Sequence, residues 1–176
     1  SGWEDSVSEV VFTGADQGLD HGIMHHFARS LKLEKALHPD TLLAYEMNGQ
    51  PLPVPHGYPL RLIVPGWYGV ASVKWLKSIE LMDHPFDGYQ QAVNYHYRQN
   101  SDDPGKPVDE MKLKSLIIPP GMPDWFKRKR FLNQGKVQLS GRAWSGQGRL
   151  EKVEIGIDGI WKEASLGKEL GRYAWR

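Results

Sequence analysis

Val10-Val11-Phe12-Thr13 is a β-branched and aromatic run that stops at Gly14. It predicts a buried strand feeding a loop, GADQG. Residues 17–30 are rich in Gly and His and show no period, so they predict a loop. Leu31 to Leu37 is a short element whose type the pattern leaves open, closed by His38-Pro39-Asp40. Leu42 to Met47 predicts a strand, and Asn48-Gly49 a hairpin turn, because both residues tolerate positive φ. PLPVP then predicts an edge or an extended connector, since Pro cannot donate to a central ladder.

The next stretch, HGYPLRLIVPGWYGVASVKWL, reads as two strand-like runs around Pro65-Gly66. The second run extends through roughly Val70 to Leu81. Residues 98–110 form a polar loop containing Pro and Gly. A Pro-Pro-Gly break and the basic run Lys127 to Arg130 follow, and a domain boundary is placed here, between 118 and 119. From Lys136 the pattern is all-β. Val137 and Leu139 alternate with polar residues, as do Val153, Ile155 and Ile157. Asp158-Gly159 turns the chain into a return strand from Ile160. The expected class is α+β, mostly β, ending in a β-sandwich with too few strands to close.

Composition narrows the function. Apolar residues make up 40% and charged residues 24%, which fits a folded globular chain. A net charge of +1 gives no support to nucleic-acid binding. The chain has no cysteine, so disulfides, zinc–thiolate sites and cysteine nucleophiles are excluded within it. No apolar run is long enough for a membrane span. The first ten residues, SGWEDSVSEV, do not read as a signal peptide.

Three cations, His56, Arg61 and Lys74, interrupt the apolar stretch. A buried cation is costly unless paired, and a phosphate suits Arg, Lys and His together. The alternative is that each snorkels to water or pairs with a local carboxylate. Asp16, just past a strand end, can accept two hydrogen bonds from a guanidine-like edge, or can stabilise a turn. Tyr95 and Tyr97 can place a phenol in a pocket or half-bury it in the core. His21, His25 and His26 lack a pattern that would align them and read as an exposed loop rather than a metal site. The basic run reads as a solvated or interface face.

HGYPLRLIVPGWYGVASVKWL resembles the core motif of the sulfite oxidase family of molybdenum enzymes. VVFTGADQG, LLAYEMNGQPLP, QQAVNY and GRAWSGQGRLEKVEIGIDG fall in the family's order and approximate spacing, so the resemblance covers nearly the whole chain. PGWYGVASVKWL, YEMNGQPLP and PPGMPDW look most like the bacterial sulfite or sulfane dehydrogenase branch. The resemblance implies the C-terminal part of a molybdopterin-binding domain over 1–118. It implies the opening strands of an immunoglobulin-like dimerisation domain over 119–176.

The resemblance also implies roles. His56 and Arg61 match basic residues that hold molybdopterin. Ser72, Val73 and Lys74 match the stretch that touches the cofactor, with Lys74 near its anionic end. Asp16 matches a carboxylate that binds the pterin, and Tyr95 the active-site tyrosine, with Tyr97 as the alternative. The implied reaction is oxidation of sulfite or a related sulfur anion to sulfate. A c-type cytochrome is the implied electron acceptor, a homodimer the implied assembly and the periplasm the implied compartment.

Departures are equally specific. The thiolate that ligates molybdenum is absent, and its Cys is expected upstream of the first strand here. The substrate arginines are also absent, one of them expected beyond Arg176. The family's double-glycine turn is shortened to Asp158-Gly159-Ile160-Trp161. The chain is expected to be a piece of a longer enzyme, inactive alone. The alternatives are methionine sulfoxide reduction on the same scaffold, and a cofactor-free interaction module.

Overall fold

The computed structural model describes residues 6–124, 126 and 129–174, and of Pro123 and Asp124 only the main chain. Lys127 and Arg128 of the basic run, Trp125 of the PPGMPDW motif, and the chain end at Arg176 lie outside these residues. The chain divides into two compact units, Ser1–Glu110 and Met111–Arg176.

The first unit is built on a three-stranded sheet, β2-β1-β7, formed by β1 (Glu9–Asp20), β2 (Ile23–Lys32) and β7 (Leu76–Met82). Both neighbours run antiparallel to β1. The expected strand at Val10–Thr13 is there, but it does not stop at Gly14, and residues 17–30 are not a loop. His21 and Gly22, with φ of 49° and 82°, close a two-residue hairpin between Asp20 and Ile23. Leu19, Ile23 and Met24 at its tip are exposed, so no buried face imposes an alternating pattern there. After β2 the chain makes one helical turn, α1 (Leu33–Ala36).

Leu42 to Met47 is broken at Tyr45 into β3 (Leu42–Ala44) and β4 (Glu46–Met47). β4 pairs with β5 (Gln50–Pro51) across Asn48-Gly49, whose φ values of 55° and 73° match the expected turn. β3 pairs with β6 (Arg61–Ile63). The strand expected over Val70–Leu81 is shorter. Gly69–Ala71 is a 3-10 turn, and only Leu76–Met82 is regular. Further on, β8 (His96–Tyr97) pairs with β9 (Lys106–Pro107), which lies within the expected polar loop.

The core of this unit joins Val10, Phe12 and Leu31 to Leu62, Val64, Ala71 and Val73. Burying each large aliphatic side chain here contributes about 1.5–3 kcal/mol. Leu62 and Val64 point inward, while Arg61 and Ile63 between them are half-buried. That alternation is how one short segment carries both core and cation.

The second unit is also β, in two-stranded pieces. β10 (Lys114–Ile118) pairs with β13 (Ser140–Trp144), and β11 (Met122–Asp124) with β12 (Lys129–Phe131). β14 (Glu154–Ile157) pairs with β15 (Ile160–Glu163) across Asp158-Gly159, the turn read from sequence. The strand near Val137 and Leu139 begins only at Ser140.

The units part at Glu110/Met111 rather than at 118/119. Val108, Asp109 and Glu110 are tied by their main chains to Tyr95, Tyr68 and Trp67, whereas Lys114–Ile118 belongs to β13. No helix among the described residues is long and apolar enough to cross a membrane.

Candidate functional site

The site starts from an irregularity in β1. Gly14, Ala15 and Asp16 stand opposite Phe27 alone, a bulge that re-aims the strand and turns Asp16 out into solvent. Ala15 donates its N–H to the Trp75 carbonyl, 2.8 Å, so the bulge leans on the segment carrying Lys74. A Cβ on Gly14 would collide with the Asp16 carboxylate and lie 2.8 Å from the Lys74 carbonyl. Only glycine lets these two chains approach so closely.

The cations come from the stretch between β5 and β7. Val54–His56 is a 3-10 turn closed by Gly57, whose φ is +108°. Arg61 donates from Nη1 to the His56 carbonyl, 2.9 Å, and from Nη2 to the Ser72 carbonyl, 3.2 Å. Lys74 Nζ donates to the Pro55 carbonyl, 3.0 Å, and sits 4.1 Å from the centre of the Trp75 ring. Buried Gly57 fits between them. A Cβ on it would lie 3.1 Å from both the Arg61 and the Lys74 Cβ.

Ser72 Oγ accepts the Val64 N–H at 3.0 Å, which leaves the hydroxyl proton free for another acceptor. Burial pulls the Arg61 guanidinium below its ordinary range. None of His56, Arg61 and Lys74 pairs with a carboxylate among the described residues. Arg61 and Lys74 donate to main-chain carbonyls, and Lys74 also meets the Trp75 ring, which orients the two cations without neutralising them.

Asp16, His56, Arg61, Ser72 and Lys74 are therefore gathered along one edge of the first unit. Val73 differs. It is 1% exposed and packs in the core, and its carbonyl accepts the Leu62 N–H. Strand-like alternation sends its side chain away from those of Ser72 and Lys74. Tyr95 is held elsewhere. It follows a single π-helical turn, Gln90–Asn94, and is half-buried. Tyr97 packs edge-on against Tyr68, and burial raises its phenol far above the ordinary tyrosine range.

His25 and His26 sit on β2 rather than in a loop, and His21 stands in the hairpin turn before it. His25 stacks on Tyr89 at 4.7 Å, and His26 Nδ1 lies 3.1 Å from the Asp16 carbonyl. No cluster among the described residues could hold a metal ion.

Three residues escaped the sequence reading. Trp75 adopts φ of +49°, uncommon for a bulky side chain, and donates from Nε1 to the Val54 carbonyl, 2.8 Å. Gly57 is the second, and its signal was a glycine wedged between His56 and Tyr58-Pro59. Arg29 is the third, 2% exposed inside a segment mistaken for a loop.

A family model described as oxidoreductase molybdopterin binding domain matches residues 2–90. The chain belongs to that family, among the sulfite oxidase group of molybdopterin-binding oxidoreductases. It is 35% identical to mitochondrial sulfite oxidase of Mus musculus over 186 residues, covering 97% of this chain and 32% of that protein. It is also 35% identical to nitrate reductase [NADH] 1 of Arabidopsis thaliana, covering 89% of this chain and 19% of the relative. The chain thus spans about a third of the length of the sulfite oxidases it matches. Among solved structures, the sulfane dehydrogenase SoxCD of Paracoccus pantotrophus superimposes with a TM-score of 0.80 at 30% identity, covering 99% of this chain and 42% of that one.

The donor set suits molybdopterin on the phosphate and pterin sides. Cations without counter-charges suit a phosphate, and an exposed carboxylate on a bulge suits the donor edge of a pterin. For the metal these 176 residues supply no thiolate.

Proposed function

We propose that this chain supplies the cofactor cradle and the active-site tyrosine of a molybdenum oxidoreductase acting on sulfite or a sulfane sulfur anion. The observation that carries the reading is the trio His56, Arg61 and Lys74, gathered at one edge with no carboxylate partner among the described residues. Arg61 and Lys74 hold the terminal phosphate, with His56 beside them. Ser72 offers a hydroxyl proton, and Asp16 accepts from the pterin edge. Val73 serves by packing beneath them.

Molybdenum cofactor, when bound, supplies two-electron oxygen-atom chemistry. Sulfite and water give sulfate, two protons and two electrons, which leave singly to a c-type cytochrome. The Tyr95 phenol donates to a substrate oxyanion and orients it. The second unit opens an immunoglobulin-like dimerisation domain, and the enzyme works in the periplasm, as in the bacterial branch it resembles.

The test uses the complete protein. Pterin and molybdenum are quantified, and sulfite-dependent reduction of cytochrome c is followed. Arg61→Ala and Lys74→Ala should each weaken cofactor retention about 10- to 100-fold, as loss of a charge-assisted hydrogen bond does. Full retention of the cofactor by the double variant would sink the cradle.

Nitrate reductases match as well as sulfite oxidases do, at 34–35% identity, so nitrate is the competing substrate. Nitrate turnover without sulfite turnover would transfer the reading to that reaction. Methionine sulfoxide, run in parallel, covers the remaining alternative.

A further inference from the structure

Arg29 is fully buried in β2, at 2% exposure, and forms no ion pair with a carboxylate among the described residues. A buried guanidinium is expensive unless its donors are used. Nη1 donates to the Gln90 carbonyl at 3.0 Å and Nη2 to the Val108 carbonyl at 2.7 Å. These two residues are also the ones that hold the main chain of Tyr95. The Tyr95 N–H donates to the Gln90 carbonyl, 3.3 Å, and the Tyr95 carbonyl accepts the Val108 N–H, 2.9 Å.

The planar fork of one arginine therefore spans both anchors of one tyrosine, from a strand 61 residues away in sequence on one side and 79 on the other. A neighbouring clasp fixes the same turn. Ser30 N–H donates to Gln91 Oε1 at 2.9 Å, and Gln91 Nε2 donates to Ser30 Oγ at 2.6 Å.

We propose that Arg29 is a positioning residue for Tyr95: its guanidinium locks the Gln90 and Val108 carbonyls and so sets where the phenol stands. The inference rests on Tyr95 acting on substrate, as proposed above. Packing alone would be served better by an apolar side chain, because Arg29 Nε lies buried without a hydrogen-bond partner among the described residues. Burial pulls the Arg29 guanidinium below its ordinary range, while the neighbouring Tyr95 and Asp109 act the other way and favour the charged form. Lysine cannot replace the fork, since its ammonium is a single point and not a rigid two-ended donor.

The test compares wild type, Arg29→Lys, Arg29→Gln, Tyr95→Phe and the double variant R29K/Y95F in the cofactor-loaded complete enzyme. A fluorinated tyrosine at position 95 provides a signal independent of turnover. R29K should keep its fold and cofactor content and lower kcat about 10- to 100-fold, the scale of a small misplacement near the reacting atoms. KM should change less than kcat. The double variant should be no slower than Y95F alone, and the fluorine resonance should shift or broaden in R29K or R29Q.

An unmoved resonance in folded R29K and R29Q would overturn the inference whatever the kinetics. So would losses that simply multiply in the double variant. Full activity of Y95F would instead remove the role given to Tyr95, and the resonance would still decide whether Arg29 places it.

Discussion

Two charged sites in the first unit are built on opposite plans. Glu9 is 4% exposed, and its carboxylate is fully answered: Lys32 Nζ at 2.6 Å, Ser30 Oγ at 2.7 Å and the Phe86 N–H at 2.9 Å. Burial pushes the Glu9 carboxyl up, but these donors outweigh it and hold it below the usual carboxylate range. Arg61 and Lys74 have their geometry set by carbonyls, yet no carboxylate among the described residues meets them. The Glu9 charge comes with its counter-charge, whereas the half-buried Arg61 and Lys74 suit a ligand that brings its own.

The strongest way to break this contrast is at Glu9. Glu9→Ala leaves the part-buried Phe86 N–H and the buried Ser30 hydroxyl proton without their acceptor. It should cost about 2–4 kcal/mol of stability, since each orphaned donor costs about 1–3 kcal/mol. Chemical denaturation of the complete protein measures it.

The pH dependence follows from the depressed folded pKa. The contribution is present above the ordinary glutamate range and is lost as pH falls through and below it. Wild type and Glu9→Gln should therefore converge in stability between about pH 5 and pH 3, the interval around the unperturbed value. Arg61→Ala and Lys74→Ala should show no comparable convergence. A gap between Glu9→Gln and wild type that stays constant down to pH 3 would mean that Glu9 is not the group sensed.

Gly57 sharpens the other side. Gly57→Ala puts a Cβ at φ of +108° and 3.1 Å from the Arg61 and Lys74 stems. The strained backbone alone should cost about 1–3 kcal/mol. The sharper outcome concerns function: Gly57→Ala should lower pterin retention in protein that is still folded, because the two cations must spread. Unchanged retention would show that the spacing of Arg61 and Lys74 is not what the glycine protects.

How much of this was legible beforehand depended on whether a local signal existed. Asn48-Gly49 and Asp158-Gly159 announce their hairpins, because the turn chemistry is carried by the two residues themselves. Lys74 and Arg61 stood out as cations in an apolar stretch. The β1–β2 hairpin did not. His21-Gly22 performs the same turn, but the strands flanking it lie exposed at the tip and carry no alternation. Arg29 was lost with that segment, and its partners at Gln90 and Val108 are distant in sequence and are main-chain atoms, so no side-chain motif could report them. Val73 sits between Ser72 and Lys74 in the motif, yet a one-residue step on a strand-like backbone turns it into the core.

The smallest expected effect tests what completes the Glu9 site. Lys32 makes the shortest contact there, 2.6 Å, but its side chain is 67% exposed while that of Glu9 is 6% exposed. An ammonium so open to water is screened, and exposed pairs are worth about 0–1 kcal/mol. Water can take its place, whereas nothing can replace the buried Ser30 hydroxyl or the Phe86 N–H. Lys32→Ala should therefore cost less than about 1 kcal/mol, well under Glu9→Ala. It should also move the Glu9 titration upward, since Lys32 contributes both a hydrogen bond and a charge to lowering it. Resolved carboxyl NMR shifts across an acid titration read this directly. A Lys32→Ala loss equal to that of Glu9→Ala would make the ion pair, and not the buried donors, the part of the site that the fold depends on.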